Sequence, residues 1–165
     1  MIACLDVNYR EPAAYAAGIA FHDWSDAVPA TEKVIRVVAV HPYQPGQFFR
    51  RELPCLLAVL RELPPVAVVV VDGYVWLDGV GVPGLGAHLY QALAGKVAVV
   101  GVAKTRFAAA GAAVQVIRGR SARPLFVTAA GMSAQRAGEH VGSMHGPYRI
   151  PTLLKRVDSL ARRAG

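Results

Sequence analysis

The run Val66-Ala67-Val68-Val69-Val70-Val71, closed by Asp72-Gly73, constrains this chain more than any other segment. Five valines and one alanine without a polar interruption suit a strand covered on both faces, as in the middle of a mostly parallel sheet. The carboxyl ends of such strands border the crevice in which ligands bind. Asp72 stands at that end, and a carboxylate there calls for a metal ion, a cation or backbone donors. The plainer alternative is an Asp that caps the turn after the strand.

With 165 residues, the chain is long enough for one domain with a proper core and short for two. Its 54% hydrophobic content and mean hydropathy of +0.35 exclude a disordered chain and imply an extensively buried sheet. No apolar stretch reaches the roughly 18 residues of a membrane span, so no membrane partner is expected. Met1–Asp6 lacks a basic start and is interrupted by an acid, so a signal peptide is not expected. Cys4 and Cys55 form neither a metal-type spacing nor a disulfide framework, which fits a reducing cytoplasm.

The spacing of turn residues and apolar runs predicts one α/β layer sandwich with an antiparallel first part. Ile2–Val7 and Tyr15–Phe21 read as strands joined by a turn over Asn8–Pro12, and Lys33–Val40 as a third strand. Gln47–Leu63 has helical periodicity and stops at Pro64-Pro65. After Val66–Val71 and a Gly-rich loop come a helix over Leu85–Leu93 and a strand over Lys96–Val102. Ala108–Ala113 reads as a small-residue linker. Short strands at Val114–Ile117 and Leu125–Val127 precede helices at Ser133–Met144 and Ile150–Ala164.

Charge is distributed as unevenly as hydropathy. The net charge is +7, and no acid occurs between Asp78 and Glu139. That stretch carries Lys96, Lys104, Arg106, Arg118, Arg120, Arg123 and Arg136, and the tail adds Arg149, Lys155, Arg156, Arg162 and Arg163. A one-signed surface suits phosphate backbones, so a nucleic acid is the expected partner; a merely solvated basic face is the alternative. Among only 11 acids, Glu52 falls on the apolar side of its helix with Phe48, Leu56 and Val59. Asp158 falls with Leu154 and Ala161, and Asp6 and Asp72 end strands. Four inward carboxylates are hard oxygen ligands of the kind that suit Mg²⁺ or Mn²⁺.

These residues resemble the endonuclease V family. Asp6-Val7-Asn8-Tyr9, Pro42-Tyr43-Gln44-Pro45-Gly46 continuing to Arg51-Glu52, Val71-Asp72-Gly73 and Gly101-Val102-Ala103-Lys104 occur in that family's order. Tyr148-Arg149-Ile150-Pro151, with Asp158 beyond, is similar to its C-terminal segment. The resemblance covers nearly all of residues 1–165 as a single domain and implies a ribonuclease H-like three-layer α/β fold, a central mixed sheet flanked by helices. It implies a Mg²⁺-dependent endonuclease, with Mn²⁺ as the other candidate, that cuts DNA or RNA 3′ to a deaminated, inosine-type base. Carried over by position, Asp6, Glu52, Asp72 and Lys104 are the catalytic candidates, and Asp6, Glu52, Asp72 and Asp158 the metal ligands. Tyr43 is the expected wedge beside an extruded base, with Pro45, Gly46, Arg51, Gly73 and Arg106 as further nucleic-acid contacts.

The chain is also expected to be a divergent and shortened member. Tyr74-Val75 stand where a second glycine is usual, Asp78 replaces a common histidine, and Ala129-Ala130-Gly131-Met132 replaces a Gly-His segment. A family relative that binds nucleic acid with lost or altered catalysis or specificity is therefore the second reading. Gly79-Val80-Gly81-Val82-Pro83-Gly84 matches the dinucleotide-loop pattern but neither follows its strand directly nor has an acid about 20 residues on. Of His22, His41, His88, His140 and His145, only the last two approach a ligand spacing, and core or surface roles are expected for all five.

Overall fold

Val69 and Val71 point to one side of their strand and Val70 to the other, and each side meets its own helical layer. That double burial explains the apolar residues Val69–Val71; the strand begins at Val68 rather than Val66, and Ala67 before it is exposed. The computed structural model describes residues 1–38, 42–107, 111 and 113–165. Its elements are β1 (Ile2–Arg10), β2 (Ala13–Phe21), β3 (Thr31–Val38), α1 (Phe48–Arg61), β4 (Val68–Asp72), α2 (Leu85–Ala92) and β5 (Ala98–Ala103), then β6 (Val114–Val116), β7 (Leu125–Ala130), α3 (Ala134–Ser143) and α4 (Thr152–Arg163). They build one seven-stranded mixed sheet in the order β3-β2-β1-β4-β5-β7-β6. β1, β4 and β5 are mutually parallel; the flanking pairs are antiparallel.

Cys55, Leu56, Val59, Ala87 and Leu89 of α1 and α2 cover one face with Val69, Val71 and Val99. Ala137, Val141, Leu153, Val157 and Ala161 of α3 and α4 cover the other with Val70, Val100 and Val127. The three-layer arrangement predicted from the sequence is thus present, with β4 at the centre of the sheet.

Several boundaries differ for identifiable reasons. The first hairpin is longer than predicted, because Arg10 pairs with Ala13 across a turn of only Glu11-Pro12. Its tip is held by Tyr9, which packs edge-on against Phe48 of α1. β7 runs to Ala130 because small residues pair with β5 up to Val99. β3 ends at Val38, and residues 39–41, including His41, lie outside the described residues, as do 108–110 and 112 of the predicted linker. Phe48 is a correction: it is 48% exposed rather than buried beside Glu52.

Register determines what meets at the sheet's carboxyl edge. Leu5 lies opposite Val71 in the parallel pair, so Asp6 and Asp72 emerge as neighbours from adjacent strands. The chain after Asp72 then turns sharply over β5. Gly73, at φ +111°, donates its N–H to Val102 O at 3.0 Å, and Val75 donates to Thr128 Oγ1 at 2.8 Å. A Cβ on Gly101 would stand 2.6 Å from Gly73 O and 2.8 Å from Val75 N, so only glycine lets this loop cross the strand. Val75 itself is fully buried in the α1–α2 layer.

Candidate active site

Asp6, Asp72 and Asp158 line one cleft of about 880 Å³, whose walls also carry Lys104, Arg120, Tyr148 and Lys155. Asp6 and Asp72 come from the edge formed by β1 and β4, and Asp158 from α4, which packs across β1 and β2. Glu52 does not reach the cleft wall. It is 7% exposed within α1, and its Oε2 is buried with no hydrogen-bond partner among the described residues.

The four acids were expected to face inward together, and the structure corrects this in part. Only Glu52 is buried; Asp6 and Asp158 are half-buried, and the Asp72 side chain is 51% exposed because it stands past the last covered residue of β4. They nonetheless share one electrostatic environment. Burial, with the charges of Asp158 and Asp72, pushes the Asp6 carboxyl up to about 6. Burial, with the charges of Asp6 and Asp72, pushes Glu52 up to about 8. Carboxylates crowded this way favour a cation between them.

Two of the four already hold cationic side chains. Lys104 Nζ, just beyond β5, donates to Asp72 Oδ2 at 3.0 Å, and Arg162 Nε donates to Asp158 Oδ1 at 2.8 Å. Among the described residues, no three His, Cys, Asp or Glu side chains stand ready to close around one ion. The chemistry of the donor set still fits a hard divalent ion. It consists of carboxylate oxygens, two of them with raised affinity for positive charge, and one oxygen is orphaned.

Raised carboxyl values have a consequence for stability without added metal. The folded-state value of Glu52 lies above its ordinary 4.5, so deprotonation costs the folded chain more than the unfolded one. Stability should therefore fall as pH rises from about 4.5 to about 8, with Asp6 contributing between 3.8 and about 6. In Glu52→Gln the decline should be confined to the lower window. Urea unfolding across this range, in the presence of a chelator, measures it; the same slope above pH 6 in both proteins would contradict the assignment.

The remaining candidates separate into three groups. Tyr43, 60% exposed, and Pro45 and Gly46 lie on the exposed segment before α1, with Gly46 at φ +76° in the turn closed by Gln47 N–H to Gln44 O. Gly73 shapes the turn beside Asp72, and Arg106 is exposed beyond β5. Arg51 is spent internally: its guanidinium lies 3.9 Å from the Tyr9 ring centroid and donates to Glu11 Oε1 at 3.2 Å. It does not line the cleft.

Other sequence signals resolve into packing. Asp78 Oδ1 accepts from the N–H groups of Val80, Gly81 and Val82, so the Gly79–Gly84 loop folds on its own acid. His88 stacks on Phe49 and His140 on Trp24, while His145 Nδ1 pairs with Thr152 Oγ1. Arg118, counted in the sequence as surface charge, is 5% exposed. Its guanidinium donates to the carbonyls of Met144, Gly146, Tyr148 and Arg149. Arg149 in turn donates to the carbonyls of Lys104, Arg123 and Pro124. For Arg118 the only sequence signal is position in a basic stretch, which cannot distinguish an anchor from a ligand; Arg149 also belongs to the Tyr148–Pro151 motif.

Comparison with known proteins adds a family to this geometry. The endonuclease V model matches residues 1–119. An endonuclease V of Streptomyces avermitilis is 35% identical, covering 74% of this chain and 62% of that protein. One of Streptomyces coelicolor is 33% identical, covering 74% and 60%. The chain thus spans less than two thirds of the length of these curated relatives. The crystal structure of the S. avermitilis endonuclease V superposes with a TM-score of 0.78 at 27% identity, over 99% of this chain and 80% of that one. The Ciona intestinalis endonuclease V, in complex with a 24mer DNA containing an inosine followed by a ribo-adenosine, superposes at 0.76 with 18% identity, over 99% and 84%. The sheet order and layers are those of a ribonuclease H-like fold.

Proposed function

Because the chain belongs to the endonuclease V family, we propose that it is a Mg²⁺-dependent endonuclease that hydrolyses a phosphodiester bond 3′ to a deaminated, inosine-type base in DNA or RNA. The observation that carries this reading is the placement of Asp6, Asp72 and Asp158 in one basic-rimmed cleft, with Glu52 buried behind and electrostatically coupled to the first two. A cluster of raised and neighbouring carboxylates at a sheet's carboxyl edge is a functional arrangement rather than a stabilising one, since it costs the fold like-charge repulsion.

Each side chain has a task in or beside that cleft. Asp6, Glu52, Asp72 and Asp158 would hold the divalent ion, which when bound supplies positive charge for the scissile phosphate and the departing oxygen. Asp72 keeps the Lys104 ammonium at 3.0 Å, aimed at the cleft, where it can donate to a phosphate oxygen. Asp6, half-buried beside Asp72 on the adjacent strand, presents its carboxylate to the same cleft. Tyr43, exposed and aromatic before α1, offers a face for a base. Mn²⁺ suits the same oxygen donors.

A second reading has its own support. Asp72 and Asp158 are each neutralised by a basic side chain, an arrangement that a nucleic-acid-binding relative without catalysis could keep. Incubation with an inosine-containing single strand and Mg²⁺ separates the two. Cleavage that stops with chelator supports the nuclease; salt-sensitive binding with no cleavage of modified or plain strands, with Mg²⁺ or Mn²⁺, supports the binder.

A further inference from the structure

Most of the arginines around the cleft are already engaged. Arg118 and Arg149 grip backbone carbonyls, Arg156 pairs with Glu32, and Arg162 pairs with Asp158. Arg120 and Lys155 are different: both are exposed, both line the cleft, and neither has an ion-pair partner among the described residues. Tyr148, 71% exposed, lines the same cleft. A large aromatic ring left in solvent in a cleft that also carries these two cations gives its wall a mixed apolar and positive character.

The segment that carries Tyr148 is fixed on both sides. Arg118 Nη1 donates to the Tyr148 carbonyl at 2.7 Å, and the next residue, Arg149, donates to Arg123 O at 3.0 Å and Pro124 O at 2.9 Å. Gly119, at φ +62°, lets the Arg118–Arg120 backbone approach so closely that a Cβ there would lie 2.3 Å from Pro147 O. The ring is therefore presented from an anchored backbone, and stacking on it orders little more of the chain.

We infer that Tyr148, Arg120 and Lys155 form a second nucleotide subsite on the cleft wall: Tyr148 stacks on a base while Arg120 and Lys155 hold its phosphate. The inference rests on the nucleic-acid reading above and specifies its substrate. The nucleotide bound there is unpaired, because a base within a duplex has its faces covered by its neighbours and cannot offer one to Tyr148. Its position follows from α4. Lys155 and Asp158 lie three residues apart on α4, neighbours on one helix face, and both line the cleft. The nucleotide held by Lys155 belongs beside the one over the carboxylates, because Asp158 is its neighbour on that face.

The test uses the full chain carrying Asp72→Asn, so that strands stay intact, and single-stranded DNA and RNA oligonucleotides with 2-aminopurine placed at successive positions. Quenching is expected at one position beside the modified base. Tyr148→Ala should remove it and weaken binding about tenfold, within the range for loss of one base–aromatic stack, while Tyr148→Phe keeps both. Arg120→Gln and Lys155→Gln should each lower the slope of log affinity against log salt by about 0.7, the value for one single-strand phosphate contact. Unchanged quenching and affinity in Tyr148→Ala, with unchanged salt slopes in the other two, would overturn the subsite and leave the nuclease reading standing. Failure of the Asp72→Asn chain to bind any strand at low salt would overturn both.

Discussion

Asp72→Asn is expected to lower phosphodiester cleavage by at least about 10²-fold, the effect of removing one charge-stabilising group from an active site. The substitution removes a charge and little volume. Asp72 is half exposed, so folding should change by no more than about 0.5 kcal/mol. Its loss has three local effects. Lys104 is released from the 3.0 Å ion pair, one hard oxygen leaves the ligand set, and the charge that helps raise Asp6 and Glu52 disappears. Binding of a nucleic acid should persist, because the positive rim of the cleft is untouched and one negative charge is gone. Single-turnover cleavage of an inosine-containing strand, read beside anisotropy binding of the same strand, measures the two quantities separately. An unchanged rate would remove Asp72 from the catalytic machinery.

Arg118→Met is expected to be the most destabilising single change in the basic stretch. It leaves the carbonyls of Met144, Gly146, Tyr148 and Arg149 without their donor; the bond to Met144 is buried and the other three are part-buried. Each buried acceptor left unmade costs about 1–3 kcal/mol, and some will find water, so a total of about 3–5 kcal/mol is expected. For a chain of this size that lowers Tm by roughly 6–20 °C. Arg118→Lys should recover little, because an ammonium cannot span four carbonyls as a planar guanidinium does. Thermal unfolding checks both. A Tm for Arg118→Met equal to that of the parent would mean the segment 144–149 is held by other contacts.

These two residues show how differently the sequence disclosed its parts. Asp72 was conspicuous because a carboxylate ended an uninterrupted apolar run, and the one-dimensional pattern of a doubly covered strand locates its own end. Arg118 was invisible as an anchor, since nothing in its neighbours Ile117 and Gly119 distinguishes it from Arg120, which is exposed on the cleft wall. The carbonyls it binds lie 26 to 31 residues away. Val75 shows the same limit: it departs from the family pattern, and only the structure reveals that its side chain is core packing and lines no part of the cleft.

An α/β layer sandwich, its central strand, the four candidate acids and the excess of positive charge are all legible in the sequence, because periodicity and composition are local properties of the chain. Only the tertiary structure decided which acids share a cleft, which of them is buried, and which cations are free. Those outcomes depend on register and on long-range partners. Asp6 meets Asp72 because Leu5 pairs with Val71, Lys104 meets Asp72 across parallel strands, and Arg118 and Arg149 are engaged by carbonyls that the fold brings to them.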